Sequence, residues 1–189
     1  EYGWDVPNPG FVRQHIREME KRPFDGLILR MEAGGQVFTK APWPEETVQR
    51  DFDNLQHIEW GTFTDNFLIV YAASDMDWFS DADWQEVCRK ISLTARGAKL
   101  GKCKGICFDF EPYGTNPWEY PKQAHAAERT FAEYQGQVRQ RGAEFMRAIQ
   151  AEMPECVFHT FFLLGYFSDL ALMDDIGARE AKLSQHGYA

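Results

Sequence analysis

Apolar residues recur along this chain in two alternating patterns, helical spacing and short continuous runs, and that alternation is its main structural signal. Tyr2-Gly3-Trp4-Asp5-Val6-Pro7 reads as the tail of a strand. Asn8-Pro9-Gly10 then opens a helix with apolar positions at Phe11, Val12, Ile16 and Met19. The run Phe24 to Met31 suits a strand covered on both faces. A Gly/Pro-rich loop from Ala33 to Pro44 leads to a second helix, which starts at Glu45 and passes through Val48, Phe52, Leu55 and Ile58. Asn66 to Ala72 makes the third predicted strand. Ser80 or Asp81 is placed to cap the next helix, through Trp84, Val87, Ile91, Leu93 and Ala98, with Gly101 as its stop. Cys103 to Glu111 is the fourth predicted strand, followed by a loop from Pro112 to Gln123 rich in Pro, Gly and aromatics. A polar helix is expected from about Ala126 to Glu152, a fifth strand from Cys156 to Leu164, and one more helix from Asp169 to about Leu183.

Strict strand–helix alternation predicts a parallel sheet with right-handed crossovers. An open doubly wound sheet and a closed eight-stranded barrel both satisfy it. No Gly-rich phosphate fingerprint follows the first strand, and polar residues gather just after the strands, as a barrel requires. The expectation is therefore an α/β fold: a TIM-type parallel (β/α) barrel, as one domain over residues 1–189. A whole barrel typically takes about 250 residues. About five of eight βα units are expected here, with the domain cut short at both ends.

Composition narrows the partners. The formal net charge of −9 argues against nucleic acid or an anionic membrane, which call for a basic face. No apolar run approaches the roughly 20 residues that span a bilayer. Aromatics at 15% serve a core, and they also serve sites that stack flat sugar rings. Cys88, Cys103, Cys107 and Cys156 lack zinc spacing. Cys103 and Cys156 fall at the starts of neighbouring strands, where a disulfide is one option and small buried thiols the preferred one. The chain starts at Glu1 with no signal peptide, so the N-terminus assigns no compartment, and a secreted or periplasmic setting is compatible. No cofactor or metal is implied. Asp75, Asp77, Asp81 and Asp83 lack a calcium-loop pattern and read as a solvated helix entrance.

The chemistry concentrates in Cys107-Phe108-Asp109-Phe110-Glu111. Side chains alternate along a strand, so Asp109 and Glu111 share one face with Cys107, about 7 Å apart. Close carboxylates discourage joint ionisation, which raises one pKa towards the range useful for an acid. Glu111 at the rim is placed to reach a substrate, and Asp109 to hold or tune it. Candidate substrate-binding residues end the predicted strands or follow them: Trp4, Asp5, Arg30, Tyr71, Asp77, Trp78, Tyr113, Trp118, His159 and Tyr166. A charge network of the two acids with Arg30, without chemistry, is the competing reading.

Gly105-Ile106-Cys107-Phe108-Asp109-Phe110-Glu111 resembles the fourth-strand signature of family 18 glycoside hydrolases, a barrel family with a D-x-x-D-x-D-x-E run. Asp109 and Glu111 match its last two acids, while Lys104 and Cys107 stand at the earlier two. The resemblance implies Glu111 as general acid/base and Asp109 as the residue orienting a substrate N-acetyl group. Glu111-Pro112 also resembles the Asn-Glu-Pro of clan A retaining glycosidases, with Phe110 at the Asn; there the nucleophile is on the seventh strand, beyond Ala189. Either likeness implies a carbohydrate substrate and a glycosidic bond cleaved by general acid/base catalysis. A non-catalytic sugar-binding barrel is the alternative. A metal-dependent hydrolase is disfavoured, since no His-x-His follows the first strand.

Overall fold

The computed structural model describes residues 6–111, 116–161 and 168–186. Its elements are α1 (Pro9–Met19), β1 (Ile28–Leu29), α2 (Glu45–Gln56), β2 (Phe67–Tyr71), α3 (Asp81–Leu100), β3 (Gly105–Asp109), α4 (Phe131–Glu152), β4 (Val157–Thr160), α5 (Ser168–Ala171) and α6 (Ile176–His186).

Local chemistry sets the helix ends. The Asn8 side chain accepts from the Phe11 N–H at 2.8 Å, and Pro9 takes the first helical position. Ser80 caps α3 through the Asp83 N–H at 3.2 Å, and Gly101 closes it. Helix α4 begins later than its pattern predicts, at Phe131 rather than near Ala126. Thr130 and Glu133 form a reciprocal capping box there. The last predicted helix is two helices, because Asp175 accepts the Ala178 N–H at 2.7 Å and starts α6 afresh.

The strands form one parallel sheet in the order β1-β2-β3-β4, corresponding to the second to fifth predicted strands. Tyr71 stands opposite Asp109, and Ile69 opposite Cys107, which in turn faces His159. Strand β1 is shorter than its apolar run predicts. Asn66 takes the Leu27 N–H at 3.1 Å, and the Arg30 N–H goes to the Pro7 carbonyl at 3.0 Å. That second bond sets the end of the first predicted strand beside β1.

Alternation across the pleat sorts the side chains. Leu29, Leu68, Val70 and Ile106 meet Val12, Phe52, Leu55, Val87, Ile91 and Ile149 in one core beneath the helices. Helix α1 packs on α2, α2 on α3 and α3 on α4, so the helix layer advances with the strands. The opposite face carries Ile69, Tyr71, Cys107, Asp109 and His159. At β4 it is uncovered, with Val157 49% exposed and His159 also exposed. The parallel α/β sheet expected from the alternation is present; among the described residues it is open, with four strands and no closure into a barrel.

Much of the aromatic excess goes into packing. Phe38 stacks on Phe145 at 5.5 Å and Trp78 on Trp84 at 5.0 Å. All four cysteines are free thiols, so Cys103 and Cys156 form no disulfide. Among the described residues no helix is long and apolar enough to cross a membrane.

Strand β4 lies so close to β3 that a Cβ on Gly105 would sit 1.9 Å from the Val157 carbonyl oxygen. Gly105→Ala should therefore lower unfolding stability by about 2 kcal/mol or more, measured by urea denaturation. An unchanged midpoint would mean that the β3–β4 pair can part without loss.

Candidate active site

The C-terminal ends of the four strands lie on one side of the sheet, and an open cleft of about 1260 Å³ sits there. Arg30, Tyr71, Asp109, Glu111 and Phe161 contribute from the strand ends, above Ile28 and Ile69. The loop between β1 and α2 supplies the facing wall, including Gly34, Gly35, Gln36, Thr39 and Trp43.

The acids are positioned by the end of the β3 ladder. Pairing persists as far as the Asp109 carbonyl, which accepts from the Ala72 N–H at 2.9 Å. The Phe110 carbonyl instead accepts from the Trp118 indole at 2.9 Å. The chain leaves the sheet at that point, so Glu111 stands just past the strand rather than on it. Asp109, 5% exposed, turns its carboxylate to the Glu111 N–H at 3.1 Å. Burial pushes the Asp109 carboxyl above the usual range; the Glu111 charge adds to the rise and the Glu111 N–H opposes it. The neighbouring Tyr71 phenol is also raised, first by burial, with the Asp109 charge contributing and Arg30 counteracting. Beneath them burial drives the Cys107 thiol up to about 12, which keeps it neutral and poorly nucleophilic.

The loop wall is tied down by four residues outside it, Asp51, Tyr71, Lys90 and Asp75. Asp51, buried on α2, accepts the N–H groups of Glu32 at 3.0 Å and Ala33 at 2.9 Å. Gly34 adopts φ 139°, a conformation that favours glycine, beside the Trp43 indole. The Gly35 carbonyl accepts from the Tyr71 N–H at 2.8 Å, which joins the loop to the end of β2. Lys90, fully buried on α3, donates to the Thr39 carbonyl and has its pKa lowered by that burial. Asp75 accepts the Lys40 N–H at 2.7 Å.

Of the residues singled out from sequence, Asp109, Glu111, Arg30 and Tyr71 come together in the cleft. Four others lie elsewhere. Trp78 is 5% exposed, its ring against Trp84 and its indole N–H on the Pro117 carbonyl at 3.0 Å, so it offers no face to a sugar. Trp118 packs beside it, with its indole N–H on the Phe110 carbonyl. Asp77 bonds His125 at 2.8 Å and the Phe79 N–H at 2.9 Å. His159 stands exposed on the helix-free face between Phe67 and Phe161, outside the cleft lining. Trp4, Asp5, Tyr113 and Tyr166 lie outside the described residues.

The acids before α3 serve structure. Asp81 pairs with Arg141 at 2.5 Å, and Asp83 accepts the Asp77 N–H at 3.0 Å and pairs with Lys40 at 3.3 Å. Sequence reasoning did not single out Trp43, Gln36 or the Gly34-Gly35 pair as site residues. A Gly-Gly step and a Trp in the loop after a strand were the available signal. Asp51 and Lys90, the supports of that loop, were not singled out either. Comparison with protein-family models, curated proteins and solved structures found no match to this chain.

The raised pKa of Asp109 has a definite sign in stability. The folded state binds this proton more tightly than the unfolded state does. The contribution is therefore fully present below the unfolded value, about 3.9, and is lost as pH rises through the folded one. Asp109→Asn retains an acceptor for the Glu111 N–H and removes the buried charge. Its melting temperature should exceed that of the wild type near pH 7 and converge with it below about pH 4. A lower melting temperature near pH 7 would show that the ionised form is preferred. Separately, Asp51→Ala leaves two backbone N–H groups without their acceptor and should cost about 2 kcal/mol or more, with faster proteolysis within residues 32–43. Unaltered cleavage there would mean that Asp51 does not hold the loop.

Proposed function

We propose that this chain carries the acid/base centre of a glycoside hydrolase, and that its sheet is an arc of a (β/α) barrel. The observation that carries the reading is the carboxyl pair. A buried Asp109 accepts the Glu111 backbone N–H, and both residues line a large cleft at the C-terminal ends of parallel strands. Barrel geometry is favoured by a strand order that never reverses, by helices that follow one another on one face, and by an exposed β4 side that further strands would cover. The family 18 resemblance of Gly105 to Glu111 points the same way.

In this reading Glu111 gives its proton to the departing glycosidic oxygen as the bond breaks, and takes one from the incoming nucleophile afterwards. Asp109 is a positioning residue. Its bond to the Glu111 N–H fixes the backbone from which the acid projects, and its charge is coupled to that of Glu111. Tyr71, half-buried, provides an aromatic wall for a sugar ring, while Trp43 is buried in the core and backs the loop beside it.

Glu111→Gln should lower release of reducing sugar from a cleaved glycan by about a hundredfold to ten-thousandfold, with glycan binding retained. Undiminished turnover would remove the assignment. Binding without turnover in the wild-type protein would make the site a sugar-binding one instead.

A further inference from the structure

Arg30, which follows β1, is the one basic side chain lining the cleft among the described residues, and it is exposed. The acids nearby are committed to other partners. Glu32 pairs with Arg50 at 3.3 Å, Asp51 holds the Glu32 and Ala33 N–H groups, and Asp109 holds the Glu111 N–H. Among the described residues no carboxylate pairs with Arg30, so the charge network with Asp109 that the sequence allowed does not form between those two.

The stem of Arg30 nevertheless runs beside the Tyr71 ring over Gly35. A Cβ on Gly35 would meet the Tyr71 ring at 2.7 Å and Arg30 Cδ at 3.3 Å. Glycine there lets the ring and the stem lie side by side along the wall. The Arg30 guanidinium carries a planar fork of donors, which suits a carboxylate or sulfate better than a neutral hydroxyl.

Building on the glycoside hydrolase reading, we propose that the cleft takes a glycan with an anionic substituent, a carboxylate or a sulfate, docked on the Arg30 guanidinium across from Glu111. The chain's net charge of −9 slows the approach of such a ligand. At physiological salt that field is screened beyond about 8 Å, so contact with Arg30 governs affinity.

The test is binding of the wild-type protein, Arg30→Ala and Arg30→Lys to an array of neutral, uronic-acid and sulfated oligosaccharides. The wild type should favour anionic members. Arg30→Ala should weaken their binding roughly tenfold or more, and Arg30→Lys should recover part of it. Retention on uronic acids alone or on sulfated sugars alone identifies the anion. Binding confined to neutral glycans, no binding to any anionic member, or equal retention by Arg30→Ala overturns the proposal. A circular dichroism spectrum matching the wild type keeps loss of fold out of the comparison, and Arg30→Lys carries the test if Arg30→Ala fails to fold. Scoring hydrolysis on the same array separates the two readings. Anionic glycans held through Arg30 but never cleaved remove the hydrolase alone. Neutral glycans cleaved through Glu111, with Arg30→Ala indifferent, remove the anion site alone.

Discussion

The in-register parallel pairing of β2, β3 and β4 is the constraint on which the other features rest. It aligns Tyr71 with Asp109 and Ile69 with Cys107, and the two-residue pleat then assigns every neighbour to a face. Leu68, Val70 and Ile106 are committed to the helices, and Tyr71 and Asp109 to the cleft. A slip of one residue would bury the acid among aliphatic side chains and turn the core outwards. Gly105 makes the close β3–β4 approach possible, and the apolar cost of a slip keeps the register in place.

Stability and the proposed chemistry pull against each other at the end of that ladder. Asp109 sits where burial disfavours its charge, yet it is retained in contact with the Glu111 backbone. Such an arrangement is costly for a fold and useful for a site that moves protons. The loop wall follows the same logic. Asp51 and Lys90 are buried charged side chains, each engaged with backbone groups of one loop, and together they hold an irregular segment against the strand ends. The loop wall is therefore held in part by the helix layer behind it.

Much of this was legible in local sequence. The strand–helix alternation, the Asn8 and Ser80 caps, the Gly101 stop and the parallel sheet follow from periodicity and turn chemistry, because short-range sterics and backbone hydrogen bonding act within a few residues. The pairing of Asp109 and Glu111 at a strand end was legible for the same reason. The capping box at Thr130 and Glu133 was equally visible in principle, and it outweighed the polar periodicity that placed the helix start near Ala126.

Trp78 and Trp43 mark where local reading ends. Both are tryptophans in loops after strands, and neither local sequence says what the ring will pack against. Trp84, brought in by α3, covers the ring of Trp78, while Trp43, also buried, packs beside the turn at Gly34 and borders the cleft. Arg30 and Glu32 are a similar pair: Arg50 arrives from α2 to occupy Glu32, while Arg30 lines the cleft. By itself the sequence determined the elements, their parallel sense and the acidic pair, since those depend on residues close along the chain. Which aromatic is covered, which charge is paired and which loop lines the cleft were decided by tertiary structure alone, because each depends on groups that meet only after the helices have packed.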